Sequence, residues 1–371
     1  MQPSMIVLIK PASGRCNLRC QYCFYEDEIT RREVSDYGMM TVETLEVVIQ
    51  KTLSYSTKRC SFLFQGGEPT LVGLSFYEKV IEFQKQYNIH HLEITNSIQT
   101  NGTLLDERWV QFFRDHQFLV GLSLDGNEKT HNYYRNKKDG TGSFKEVMRA
   151  VQLLKQYEVP FNILTVVTDQ LALNIKEVYQ FYRSQHFQYL QFIPCLDLLA
   201  TGKRYLEVEC YGQFLNHLFD LWLEDIHDQR VVSIRYFDDL INILCQQFPT
   251  TCGMLGRCGN HYAIEANGNV YPCDFYVIDE YELGNIKNLQ WGELEQSRVK
   301  GGFNDSILIK PKECLSCQWY RLCYGGCRRE REPILDEIPS LNQYCQAYQQ
   351  FLSRAYPTLK QLAAVIKNRN L

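Results

Sequence analysis

Short apolar runs alternate with amphipathic segments through the first 200 residues of the chain. Six runs predict strands at residues 6–9, 61–65, 93–99, 119–124, 161–168 and 189–193. Between them, apolar residues recur at helical spacing, as at Val42, Leu45, Val48 and Ile49. Strands that alternate with helices in this rhythm predict right-handed crossovers and a parallel sheet.

The periodicity alone is compatible with an open doubly wound sheet or with an incomplete barrel. Polar and turn-forming motifs follow the first four predicted strands, at residues 13–25, 66–69, 101–102 and 125–126. A barrel builds its active site from the loops at the carboxyl ends of its strands. The motif placement therefore favours an α/β fold with a partial six-fold (β/α) barrel.

The pattern changes after residue 230, where alternation weakens and cysteines become dense. We predict a barrel domain over 1–230, ending in a helical stretch at 201–227, and a second domain over 231–371. Residues 346–368 predict a closing amphipathic helix. We expect an interruption at Pro357, because proline lacks the N–H that continues a helix.

Charge and hydropathy exclude two classes of partner. The 371 residues carry a formal net charge of -4 without a long charge run, so no basic field is available for nucleic acid. The apolar runs are far shorter than the roughly 20 residues of a membrane span. Lys10 ends the first run, which also argues against a signal peptide.

The chain has 15 cysteines, an odd number. Without an export signal, such a content indicates metal binding or catalysis in a reducing compartment, and we expect the cytoplasm. Four cysteines stand alone and are predicted to be ordinary buried thiols: Cys60, Cys195, Cys210 and Cys245.

Cys16, Cys20 and Cys23 form a C-x3-C-x2-C run directly after the first predicted strand. Three thiolates hold three corners of a four-iron cluster and leave one iron open to another ligand. A zinc knuckle is the alternative, but tetrahedral zinc normally requires a fourth protein ligand. The run therefore favours an iron-sulfur cluster that performs chemistry.

Eight further cysteines would suffice for two fully coordinated four-iron clusters: Cys252, Cys258, Cys273, Cys314, Cys317, Cys323, Cys327 and Cys345. By spacing alone, two structural zinc sites remain an alternative. The open three-cysteine run in the same chain favours iron-sulfur clusters, since all the thiolate-only sites would then take part in electron transfer.

These motifs resemble the radical S-adenosylmethionine (SAM) superfamily with its SPASM extension. Tyr22 precedes the third cysteine of the run, and Asp274 directly follows Cys273 within residues 271–276. With these features the resemblance covers essentially the whole chain. It is closest to the anaerobic sulfatase-maturating enzymes.

The resemblance implies three [4Fe-4S] clusters, the first on the three-cysteine run with SAM bound to its open iron. It implies SAM contacts from five residues: Tyr22, Gly67, Ser123, Arg135 and Leu196. It also implies an auxiliary cluster on Cys252, Cys258, Cys273 and Cys327. The other would be held by Cys314, Cys317, Cys323 and Cys345.

The implied activity is anaerobic oxidation of a cysteine or serine in an unfolded or nascent sulfatase polypeptide to Cα-formylglycine. A radical derived from SAM would take a hydrogen atom from the β-carbon, and Asp274 would take the thiol or hydroxyl proton. A low-potential donor such as ferredoxin or flavodoxin would supply electrons. Gln65 and Gln99 are candidates for contacts to the peptide backbone, although a structural role explains them equally well.

Two other functions compete with this one. A related maturase could form a thioether or another crosslink in a ribosomal peptide. Asp274, and the absence of an evident leader-binding domain before Cys16, favour the sulfatase function. A cysteine-rich electron carrier would leave the open iron without a use.

Overall fold

A computed structural model describes residues 4–304, 308–335 and 338–369. It confirms the six predicted strands, with small differences at their ends. They are β1 Met5–Ile9, β2 Arg59–Phe64, β3 Glu93–Thr100, β4 Leu119–Ser123, β5 Phe161–Val167 and β6 Tyr189–Pro194. The later strands are β7 Ser233–Ile234, β8 His261–Ile264, β9 Asn269–Tyr271, β10 Gly284–Asn285, β11 Ile334–Leu335 and β12 Ile338–Pro339.

Strands β1 to β10 form one sheet in the order β10-β9-β8-β1-β2-β3-β4-β5-β6-β7. The six barrel strands pair in parallel in sequence order, as the alternation of strands and helices predicts. Strand β8 pairs in parallel with the free side of β1, and β9 and β10 continue the sheet antiparallel. The fold is therefore a partial six-stranded barrel extended at both edges.

Helices separate the strands and follow them. In the first half they are α1 Phe24–Ile29, α2 Val42–Tyr55, α3 Leu74–Tyr87, α4 Glu107–Asp115, α5 Glu128–Tyr134, α6 Phe144–Gln156, α7 Asp169–Leu173 and α8 Ile175–Ser184. Then follow α9 Val208–His227, α10 Arg235–Leu244, α11 Trp291–Lys300, α12 Lys312–Leu315, α13 Tyr320–Cys323 and α14 Cys345–Arg369. Within the residues described, no helix has the length and apolarity needed to cross a bilayer.

The two faces of the barrel strands lie against different parts of the molecule. Val7, Phe62 and Phe64 are fully buried in the main hydrophobic core. Alternate positions, such as Leu8 and Gln99, line a large interior cavity. Because side chains alternate across a strand, one run of residues builds both the core and the cavity wall.

The sheet crosses the predicted boundary between 1–230 and 231–371. Beyond residue 231, β7 pairs with β6 at one edge, and β8 pairs with β1 at the other. The second half therefore contributes strands to both ends of the barrel sheet. The boundary itself stays a prediction.

The expected interruption at Pro357 is wrong, since α14 runs through this residue from Cys345 to Arg369. A proline removes one backbone hydrogen bond but leaves the other turns of a helix intact. Phe351, Leu352 and Leu359 are fully buried on either side of it. The packing of α14 against α9 and α10 thus holds the helix together across the proline.

Candidate active site

The three cysteines of the first run lie around one cavity at the carboxyl ends of the barrel strands. Cys23 immediately precedes α1, and the loop before it returns from the end of β1. The same cavity is lined by all five residues implied to contact SAM: Tyr22, Gly67, Ser123, Arg135 and Leu196. The structure therefore brings the predicted cluster ligands and the predicted SAM contacts together.

The donor set of this cavity suits an iron cluster. Burial raises the pKa of the Cys16 and Cys20 thiols to about 12, and the Arg135 guanidinium only partly opposes it at Cys20. Thiolates here need further positive charge, which bound iron would supply. Among the described residues, no group of His, Cys, Asp or Glu is arranged to hold a single metal ion. A four-iron cluster spreads its ligands wider than one zinc ion does.

The glycine turn after β2 closes against the cysteine loop. Gly67 has a φ of +55°, and a Cβ atom there would overlap the carbonyl oxygen of Arg15. The N–H of Glu68 donates to the same oxygen at 2.8 Å. Only glycine therefore permits this approach, which fixes the turn beside the three cysteines.

Asp125, which the sequence marked only as a turn residue, organises two of the predicted SAM contacts. It accepts hydrogen bonds from the Tyr22 hydroxyl and from Arg135 Nε, the latter at 2.8 Å. The backbone N–H of Val166 donates to its other oxygen at 2.9 Å. The guanidinium of Arg135 also lies over the Tyr22 ring, 5.5 Å from its centroid. Asp125 and Arg135 thus form a buried ion pair in the cavity wall.

The eight cysteines of the second half fall into two groups. Cys252, Cys258, Cys273 and Cys327 line the interior cavity of the barrel. Cys314, Cys317, Cys323 and Cys345 line a separate cavity beside α13 and α14. Each group has the members that the resemblance implies for one auxiliary cluster, and their coordination of iron stays a prediction.

Asp274 lies in the interior cavity, directly after Cys273. Its Oδ2 atom accepts hydrogen bonds from the Tyr25 hydroxyl at 2.5 Å and from Gln65 Nε2 at 2.9 Å. Its Oδ1 atom is buried and has no hydrogen-bond partner within the described parts of the chain. Burial raises the pKa of this carboxyl, and the nearby Lys10 opposes the rise. The side chain is therefore oriented through Oδ2, while Oδ1 lies buried 3.8 Å from Lys10 Nζ.

Lys10, which follows β1, connects Asp274 to a second buried carboxylate. Its Nζ atom lies 3.8 Å from Asp274 Oδ1 and 3.8 Å from Glu28 Oε2, and its side chain is 0% exposed. The same atom lies 4.0 Å from the centroid of the Tyr25 ring. One buried lysine thus lies between two buried acidic side chains.

Glu28 makes the free energy of unfolding depend on pH. Burial raises the pKa of its carboxyl from 4.5 to about 8, against the effect of Lys10. Between these values the folded state holds a proton that the unfolded chain releases, so stability falls as pH rises. We expect the stability of Glu28→Gln relative to the wild type to increase by about 3–4 kcal/mol between pH 5 and pH 8, at about 1.36 kcal/mol per pKa unit. Urea unfolding of the reconstituted protein at both pH values measures the difference.

The matched control is Glu78→Gln, which changes an exposed carboxyl on α3. Its stability difference from the wild type should be the same at both pH values. If the stability difference between Glu28→Gln and the wild type were also the same at both pH values, Glu28 would be ionised in the folded state across this range.

The residues missed by sequence reasoning are Lys10, Tyr25, Glu28 and Asp125. Only Lys10 carries a local signal, since a charged residue directly after a buried strand is unusual. Of the isolated cysteines, Cys60 and Cys195 are buried, whereas Cys210 and Cys245 are partly exposed. Cys195 also lines the cavity of the first cysteine run.

Comparisons with known proteins agree with this geometry. The radical SAM superfamily model matches residues 11–182, and the SPASM iron-sulfur cluster-binding domain matches residues 252–318. The chain is therefore a radical SAM enzyme with a SPASM domain. It is 44% identical over 370 residues to the cysteine-type anaerobic sulfatase-maturating enzyme of Clostridium novyi (strain NT), covering 99% of both. The chain belongs to the family of anaerobic sulfatase-maturating enzymes.

Two further comparisons extend this result. The serine-type anaerobic sulfatase-maturating enzyme of Bacteroides thetaiotaomicron is 33% identical over 386 residues, covering 98% of this chain and 92% of the relative. A solved structure described as native anSMEcpe with bound AdoMet and Cp18Cys peptide superposes with a TM-score of 0.93 at 44% identity. The match covers 98% of this chain and 100% of the other. These similarities support sulfatase maturation over modification of another ribosomal peptide.

Proposed function

We propose that this enzyme oxidises a cysteine of a sulfatase polypeptide to Cα-formylglycine, using SAM and three [4Fe-4S] clusters. The choice of cysteine is supported by the higher identity to the cysteine-type relative than to the serine-type one. The peptide substrate is supported by the related structure that contains AdoMet and a peptide. We further propose a cytoplasmic setting and a low-potential electron donor such as ferredoxin or flavodoxin.

One observation carries the chemical proposal: the cavity with the first three cysteines adjoins the cavity with Asp274. Gln65, Gln99 and Phe275 line both. A substrate side chain at this junction lies between the SAM site and the carboxylate. When bound, the clusters and SAM supply the removal of a hydrogen atom and of a second electron from the substrate β-carbon.

The residues of the chain then hold and move the proton of the substrate thiol. Tyr25 and Gln65 fix Asp274 through Oδ2 in the cavity wall, and the carboxylate of Asp274 receives this proton. Lys10, 3.8 Å from Oδ1, favours the ionised carboxylate before the transfer. Gln99 donates to Ser123 Oγ at 3.0 Å and so orders the wall between the two cavities. These side chains make Asp274 the general base.

Two matched peptides test this function. A cysteine peptide with the sequence C-x-P-x-R and its serine counterpart are incubated anaerobically with reconstituted enzyme, SAM and dithionite. We expect formylglycine from the cysteine peptide in step with 5'-deoxyadenosine, and slower conversion of the serine peptide. If 5'-deoxyadenosine formed without any change in peptide mass, the substrate proposal would be refuted. The protein would still be shown to cleave SAM.

Iron content tests the proposed cluster assignment separately. Alanine variants of Cys16, Cys258 and Cys317 each remove one ligand from a different proposed cluster. Each should lose about a third of the iron of the reconstituted wild type, since each set holds one of three equal clusters. If one of these variants lost about two thirds of the iron, its cysteine would support two clusters, and the assignment of ligands would be wrong.

A further inference from the structure

Three buried arginines lie close enough to Cys258, one of the four cysteines of the interior cavity, for their charges to act on its thiol. Arg298, Arg328 and Arg331 are 4%, 6% and 2% exposed. The positive charge of each lowers the pKa of the Cys258 thiol, against the larger effect of burial. Of the three, Arg298 is hydrogen-bonded directly to the residue that follows Cys258.

Arg298, on α11, also holds the backbone next to Cys258. Its Nη2 atom donates to the carbonyl oxygen of Gly259 at 2.6 Å, and Nη1 donates to that of His261 at 3.0 Å. A further bond reaches Asn304 Oδ1 at 3.2 Å. The guanidinium therefore fixes the loop that carries Cys258 and leads into β8.

The hydrogen bonds of Arg298 to described residues all end on neutral oxygens, and its Nε atom has no partner among them. The guanidinium packs instead over the Tyr262 ring, 5.0 Å from the centroid. A buried cation needs a nearby anion to offset the loss of its hydration. A cluster ligated by Cys258 and three further thiolates would supply such negative charge beside the loop that Arg298 holds.

We infer that Arg298 is a positioning residue that raises the reduction potential of the auxiliary cluster on Cys252, Cys258, Cys273 and Cys327, making it an electron acceptor. Reduction adds one negative charge to a site that is already anionic. A fixed cation beside it stabilises the reduced form more than the oxidised form. The inference rests on the proposed ligand set but not on the identity of the peptide.

The test is an EPR-monitored redox titration of reconstituted holoenzyme. Arg298→Gln removes the charge and keeps a donor, whereas Arg298→Lys keeps the charge. We expect Arg298→Gln to lower the equilibrium constant for one-electron reduction of this cluster about tenfold, a shift of about 59 mV to lower potential. Arg298→Lys should restore most of the difference. Lys300→Gln, an exposed change on the same helix, should leave the potential unaltered.

Cys258→Ala identifies which signal belongs to this cluster. An unchanged potential of that signal in Arg298→Gln overturns the inference and leaves the proposed function standing. If Cys258→Ala removes no signal, the ligand assignment fails instead. If Arg298→Gln does not assemble the cluster, Arg298→Met is titrated in its place, with the same expected direction, and an unchanged potential overturns the inference.

Discussion

Asp274→Asn is expected to lower formylglycine formation from a cysteine peptide by on the order of 10²–10⁴-fold, the usual contribution of a positioned general base. Asparagine preserves the size of the side chain and can still accept hydrogen bonds from Tyr25 and Gln65. It cannot receive a proton. The variant therefore separates the chemistry of Asp274 from its shape.

Proton affinities explain why the environment of Asp274 matters. A thiol of pKa about 8.5 and a free aspartate of about 3.9 differ by about 4.6 units, roughly 6 kcal/mol against transfer. Burial raises the pKa of Asp274 and so narrows this gap, while Lys10 opposes the rise. Removal of hydrogen from the β-carbon acidifies the attached thiol. We therefore expect proton transfer together with hydrogen abstraction or after it.

The measurement is peptide conversion by mass spectrometry at saturating SAM, with 5'-deoxyadenosine quantified in the same samples. Glu280→Gln serves as the control, because it removes an exposed carboxyl six residues away. It should convert peptide at the wild-type rate. An Asp274→Asn enzyme as fast as this control would exclude Asp274 as the base.

Asp125→Asn is expected to lower the free energy of unfolding by about 3 kcal/mol, since it removes one partner of a buried ion pair. Arg135 would keep its charge with only an amide in place of the carboxylate, beside the thiol of Cys20. Tyr22 and Arg135 line the proposed SAM cavity, so the affinity for SAM should fall as well. Urea unfolding and equilibrium dialysis with SAM measure the two effects.

An exposed ion pair provides the control for this experiment. Arg114 and Asp115 approach to 2.8 Å, with about half of each side chain exposed. Asp115→Asn should cost less than about 1 kcal/mol and leave SAM binding unchanged. Equal losses in Asp125→Asn and Asp115→Asn would contradict a structural role for the buried pair.

The barrel strands could be predicted because each of them is patterned locally. Runs such as the one around Phe62 and Phe64 carry both the alternation and the composition of a half-buried strand. The division of the later cysteines between two cavities could be predicted for a different reason, namely the resemblance to a known family, and their coordination of iron stays a prediction. Neither signal requires knowledge of contacts between distant parts of the chain.

The electrostatic partners of the site could not be predicted in this way. Lys10 meets Glu28 and Asp274, which are 18 and 264 residues away in sequence, and these contacts exist only after the sheet forms. Asp125 appeared as a turn residue because aspartate before glycine is common in turns. Its pairing with Arg135 depends on how the loop after α5 returns to the cavity.

The pairing of β8 with β1 means that the second half of this chain is not a separable module. His261 to Ile264 obtain their backbone partners from Ile6 to Ile9. A fragment beginning near residue 231 would present this β8 edge, with its buried tyrosine and isoleucine, as an open template for other strands. Expressed alone, it should self-associate. A chimera that takes this half from another family member should therefore fold only where the new β8 pairs and packs with β1.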